Sequence, residues 1–122
     1  MITELNPNEI FVFGSNLAGV HGKGAAKTAR DKFGAEYGVG EGLTGQCYAF
    51  PTLDESRRKL DEGSLLTSIE NLVTCAEEHP ELTFFLTQVG CGLAGYPKVY
   101  MRSLFRQFTL PSNVIPYEAW LD

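Results

Sequence analysis

The sequence has 122 residues, enough for one ordinary domain with a hydrophobic core over residues 1–122 and too few for a second of similar size. Its 43% hydrophobic and 11% aromatic content is that of a globular chain, and no stretch approaches the roughly eighteen apolar residues of a membrane span. A formal net charge of −5, without a long basic run, argues against membrane partners and against general nucleic-acid binding, which depends on neutralising backbone phosphates.

The first element in chain order is Ile10-Phe11-Val12-Phe13, a continuous apolar run ending at Gly14, which suits a strand buried on both faces. A glycine-rich loop over 14–26 follows. Residues 25–33 then mix small and apolar residues with Lys27, Arg30 and Lys32, a pattern for a short helix ended by Gly34. Residues 34–45 carry glycines at 34, 38, 40, 42 and 45 and read as irregular chain until Cys47-Tyr48-Ala49-Phe50 forms a second strand, stopped by Pro51. The short cluster Arg57-Arg58-Lys59 reads as a solvated loop.

The strongest helical pattern covers 64–79, where Leu65, Leu66, Ile69, Leu72, Val73 and Ala76 recur at spacings of three and four before Pro80. Residues 82–89, with Phe84, Phe85, Leu86 and Val89, read as another buried strand leading into Gly90-Cys91-Gly92-Leu93-Ala94-Gly95. Pro97 suits the first turn of a helix striped by Tyr100, Met101, Leu104, Phe105 and Phe108, and Asn113-Val114-Ile115 offers a last short strand. Strands alternating with helices predict an α/β domain with a mainly parallel sheet covered by helices, whose ligands bind beyond the carboxyl ends of the strands.

Both glycine loops follow a buried strand and precede a helix, so both fall at that edge. In the first, whose candidate ligand residues are Gly14, Ser15, Asn16, Gly22, Gly24 and Ala25, the glycines and alanines remove side chains that would hold a ligand away from the backbone, and a helix starting near Gly24 adds unpaired N–H groups and the positive end of its dipole. The second loop, through Gly90, Cys91, Gly92, Leu93, Ala94 and Gly95, can close over the same phosphate or pyrophosphate. Such a backbone cradle needs little net positive charge. The glycine spacing matches neither the nucleoside triphosphatase loop nor the dinucleotide fingerprint.

Two residues of the first loop are candidates for chemistry. Asn16 can aim its amide at a sugar hydroxyl or a water, and is equally a favoured turn residue. His21, the one histidine in either loop, titrates near neutrality and can serve as a general base, the alternative being a solvent-exposed loop histidine. His79, at a helix end, reads as structural. Cys91 between two glycines admits a thiolate nucleophile, but no histidine can be assigned to it, while Cys47 and Cys75 read as small hydrophobes. Asp31 and Glu41 have no spacing that identifies an acid–base pair. Three cysteines without paired short spacings argue against a disulfide framework or a metal site and favour a reducing compartment. With no basic segment followed by an apolar one at the N-terminus, a cytoplasmic protein without metal or cofactor is expected.

Asn16 soon after a buried strand, Gly22-Lys23-Gly24-Ala25-Ala26 opening a helix, and Val89-Gly90-Cys91-Gly92-Leu93-Ala94-Gly95-Tyr96-Pro97 later resemble the two ligand loops of macrodomains. Gly42-Leu43-Thr44-Gly45-Gln46-Cys47-Tyr48-Ala49-Phe50 resembles the segment leading into that family's next core strand, so the likeness covers roughly residues 10–108. With its Phe11-Val12-Phe13-Gly14-Ser15-Asn16 opening, the chain is similar to a compact branch found in bacteria and their phages. The resemblance implies a three-layer α/β/α fold with a mixed, mainly parallel sheet. It also implies ADP-ribose or a related nucleotide as ligand, with Asn16, Gly22, Gly24 and Ala25 near the distal ribose and the 90–95 loop around the diphosphate. Removal of ADP-ribose from a modified macromolecule is a further implied activity; a binding or sequestering protein without catalysis is the alternative. The family's glycine-aspartate-isoleucine stretch, whose aspartate reads the adenine, has no counterpart in Asn6-Pro7-Asn8-Glu9-Ile10, which leaves the base unassigned.

Overall fold

Neighbouring residues of the first apolar run enter two different cores. The computed structural model describes residues 2–122, and in it strand β1 (Glu9–Asn16) turns Ile10 and Val12 into one buried cluster and Phe11 and Phe13 into another. Side chains alternate across a strand, so an uninterrupted apolar run fits only where both faces are covered. That is the position β1 occupies.

The remaining elements are α1 (Gly24–Phe33), β2 (Gly42–Thr44), β3 (Cys47–Leu53), α2 (Glu62–Glu78), β4 (Thr83–Leu86), α3 (Lys98–Phe105) and β5 (Val114–Pro116), followed by a 3-10 turn at Tyr117–Ala119. They build one five-stranded sheet in the order β2-β3-β1-β4-β5, in which β2 runs antiparallel to β3 and every other pairing is parallel. The chain is therefore an α/β protein with a mixed, mostly parallel sheet and three helices.

Helix α1 buries Ala26, Ala29 and Phe33 with Phe11 and Phe13, and the small alanines let its backbone lie close to the sheet. Phe33 meets Phe11 at 5.3 Å between ring centroids. Gly34 ends the helix in the left-handed region at φ 79°, its N–H reaching the Ala29 carbonyl. The larger cluster holds Leu65, Ile69, Leu72 and Ala76 of α2 together with Met101, Leu104 and Phe105 of α3. Burying each such leucine contributes roughly 2 kcal/mol. Trp120 locks the C-terminal segment onto this core: its indole N–H donates to the Leu86 carbonyl at 2.9 Å and its ring stands edge-on to Phe105.

The structure departs from the sequence expectations in several places, the first being that β1 runs on through Gly14 to Asn16, where the loop was expected to have begun. Helix α2 starts at Glu62, before the expected residue 64, because the Asp61 carboxylate caps it by accepting the Ser64 N–H at 2.8 Å. Residues 42–44 are a strand and not irregular chain, folded back on Cys47–Ala49 through a turn with Gly45 at φ 57°. Pro51 does not stop the second expected strand, which runs on to Leu53. At Pro51 that strand has only β1 as a paired neighbour, and an open edge tolerates the missing N–H of proline. Finally, β4 ends at Leu86 rather than 89, and the Thr87 hydroxyl then donates to the Val12 carbonyl at 2.6 Å as the chain leaves the sheet.

Candidate functional site

Because β1, β3 and β4 are parallel, the loops that follow them emerge at one edge of the sheet. There they enclose a cleft of about 790 Å3, within the roughly 300–1,000 Å3 range of small-molecule sites. Its wall takes Gly14, Ser15 and Asn16 from the end of β1, Val20, Gly22 and Lys23 from the loop after it, and Gly24, Ala25 and Ala26 from the start of α1. Gly90, Cys91, Gly92, Leu93 and Ala94 come from the second glycine loop. The two loops named from sequence thus share one cleft.

Backbone meets backbone at the base of this cleft. A Cβ on Gly14 would lie 3.2 Å from the Gly90 nitrogen, and Gly90 itself is left-handed at φ 79° with Tyr96 and Thr52 packed against it. Gly24, at φ 60°, faces the Leu93 side chain, so the loops also approach each other at the rim. Leu93 is 74% exposed.

The donors are main-chain amides. Lys23 precedes α1 in extended conformation without a side-chain cap, and the first turn holds no acidic residue, so the leading N–H groups of that helix have no partner among the described residues and the positive end of its dipole meets no acidic side chain. Among the described residues the amides of Gly92, Leu93 and Ala94 also find no acceptor. The second loop is braced from behind. The Tyr96 hydroxyl lies 2.9 Å from the Thr52 carbonyl and 2.7 Å from that of Leu60, and the Tyr96 N–H donates to Gly90.

Gly95 is a correction to the expected ligand set. It does not line the cleft, because its N–H closes a turn on Gly92 and its carbonyl accepts from Lys59 Nζ at 3.3 Å. His21 is a second correction. It is fully buried and off the cleft wall, with Nε2 3.2 Å from the Val39 carbonyl and its ring edge-on to Phe13. Nδ1 has no partner among the described residues, and burial lowers the imidazole pKa, with the Val39 bond opposing the effect and Arg30 adding to it. It is neither solvent-exposed nor able to reach a ligand as a base.

Asn16 does line the cleft, but both ends of its amide serve the loop: Nδ2 donates to the Val20 carbonyl at 3.0 Å and Oδ1 accepts the Val20 N–H at 3.1 Å. Its evident work is to set the shape of residues 16–20. Cys91 lies in the wall, half-buried, with its thiol pushed up by burial against a smaller opposing effect of Lys98. Asp31 and Glu41 lie elsewhere, the first paired with Lys27 and the second accepting from Asn71. His79 faces Glu81 at a helix end, as a structural histidine would.

Sequence reasoning missed the third side of the cleft. Thr52 and Leu53 at the end of β3, Thr87 and Gln88 after β4, and Arg57 from the β3–α2 connection complete the wall, beside the Val89 already placed in the second loop. The strand residues lie where the carboxyl-edge rule points. Arg57 had no such signal. Among the described residues that line the cleft none is a carboxylate or a histidine, and the only charged ones are Lys23 and Arg57.

Compared with protein-family models, curated proteins and solved structures, the chain finds no match. The cleft's own chemistry must carry the functional reading. Among the described residues no group of three or more His, Cys, Asp or Glu side chains could hold a metal ion, and no helix is long and apolar enough to cross a membrane.

Proposed function

We propose that the chain is a macrodomain-like, three-layer α/β/α protein that binds ADP-ribose or a related nucleotide diphosphate-ribose between its two glycine loops. One observation carries the reading: unpartnered amides of Gly92, Leu93 and Ala94 and the uncapped start of α1 border the same cleft, whose charged wall residues are all cationic. A helix N-terminus and free loop amides suit phosphate oxygens, and the small-residue floor brings them close. The wall continues to the ends of β3 and β4, at Thr52, Leu53 and Thr87.

Binding without turnover is the form of this function that the site favours. Hydrolysis by general acid–base or nucleophilic catalysis needs a poised proton carrier or nucleophile at the reacting atoms. His21 is buried elsewhere, no carboxylate lines the wall, and the Cys91 thiol is shifted away from thiolate formation. Calorimetric titration with ADP-ribose, NAD and pyrophosphate tests the ligand class, and absence of both heat and thermal shift with all three at millimolar concentration removes it. Incubation with an ADP-ribosylated protein tests the rest. Stoichiometric capture without free ADP-ribose is expected; steady multiple turnover overturns the non-catalytic form and restores the hydrolase.

A further inference from the structure

The β3–α2 connection is not a free surface loop. Leu53 and Lys59 pair as an isolated antiparallel bridge, and the Asp54 carboxylate accepts the N–H groups of Ser56 and Arg58, so residues 53–59 form a tight hairpin. The hairpin is tied to both glycine loops. On one side the Leu17 N–H donates to the Leu53 carbonyl at 3.0 Å; on the other Lys59 Nζ reaches the Gly95 carbonyl and lies 5.1 Å from the centre of the Tyr96 ring.

Its basic residues divide the work. Arg58 pairs with Asp54 and Lys59 braces the second loop, while Arg57 has no ion pair among the described residues and lines the cleft. Arg57 is also held at φ 63°, a left-handed conformation that a residue with a Cβ rarely adopts. In a chain of net charge −5, a cleft wall whose only charges are Lys23 and Arg57 is an electrostatic exception to the rest of the molecule.

We infer that Arg57 is a phosphate-binding residue, the third arm of an anion site whose other two arms are the glycine loops. This rests on the diphosphate reading of the cleft. Main-chain amides fix the direction of phosphate oxygens but carry no net charge. A guanidinium adds a forked donor that pairs with two oxygens at once and makes the site select by ligand charge. Because the hairpin is strapped to both loops, Arg57 joins the cleft wall from the end of β3.

The test is calorimetry on the whole chain with inorganic pyrophosphate, ADP-ribose and uncharged adenosine, at low and at physiological salt. Arg57→Gln and Arg57→Gly are each expected to weaken pyrophosphate and ADP-ribose about tenfold and to flatten the salt dependence of both. Arg57→Lys keeps part of the affinity, and adenosine binding does not respond. The glycine variant also relieves the left-handed backbone, so a loss in both variants cannot come from strain, and a retained far-ultraviolet spectrum shows that each is folded. Wild-type affinity and salt dependence in both variants overturn the assignment. If the unaltered protein binds pyrophosphate but not ADP-ribose, the diphosphate-ribose reading falls while Arg57 is still judged on pyrophosphate. If it binds neither, both fall.

Discussion

Acidification should destabilise this protein through His21 well before its carboxylates titrate. Nε2 faces the Val39 carbonyl and so carries the proton of the neutral ring, leaving Nδ1 as a buried lone pair without a donor. A second proton on Nδ1 would create a buried cation with no acceptor, between the Phe13 ring and a loop, with Arg30 of α1 adding repulsion. Tyr37, at 6.3 Å, is the other ring facing it. The folded-state pKa is therefore lowered from 6.5, chiefly by burial. The unfolded chain then binds more protons than the folded one in the window from 6.5 down to the lowered value. Stability is complete above 6.5 and falls as the pH drops through that window. One proton gives a slope of at most about 1.4 kcal/mol per pH unit. Asp31, Asp54, Asp61 and Glu81 are held below their usual values by hydrogen bonds, so their contributions persist until the solution is more acidic still. Urea denaturation at several pH values from about 7.5 to about 5.5 separates the two effects. His21→Gln can still donate to Val39 but cannot titrate, and should show a flatter profile over that range. An equally steep profile in His21→Gln would refute the reasoning.

Three further predictions concern the walls of the cleft. Tyr96→Phe withdraws the hydroxyl from the Thr52 and Leu60 carbonyls and should cost about 1–2 kcal/mol in a urea titration at unchanged m-value, with weaker pyrophosphate binding as the second loop loosens. Gly90→Ala combines a left-handed backbone with a Cβ 3.0 Å from Tyr96 Cδ2, and should lower stability by about 2–4 kcal/mol; a midpoint within error of wild type would mean that the loop is not held as described. Cys91 should react with iodoacetamide more slowly than a free thiol at pH 8, since burial raises its pKa, and saturating pyrophosphate should slow it further. Site-resolved mass spectrometry distinguishes it from Cys47, whose buried thiol is pushed up to about 12, and from Cys75.

What could be read from the sequence follows the strength of the physical pattern. The apolar run at 10–13 and the periodic leucines of α2 announced themselves because burial on two faces, or along one helical stripe, leaves a clear composition. Residues 42–44 left none: three residues that pair with one neighbour, with Leu43 exposed, are too short and too open to require a pattern. The glycine loops were legible as loops, and their meeting in one cleft followed from parallel strands. The fate of individual side chains did not. His21 looked like a reactive residue in a mobile-looking glycine segment, yet Val39 and Phe13, from residues eighteen positions later and eight earlier, take it out of solvent. Arg57 looked like one of three equivalent surface cations until Asp54 and Gly95 claimed its two neighbours.

The packing of Gly14 on Gly90 has a bearing on how such a site can be studied and altered. A floor made of main chain offers no side chain to truncate, so alanine scanning would pass over the groups that build it and register only the periphery. For the proposed ligand, the contribution of individual amides would be read by replacing them with esters, while Arg57, Gln88 and Leu93 are wall positions that do carry a side chain to vary.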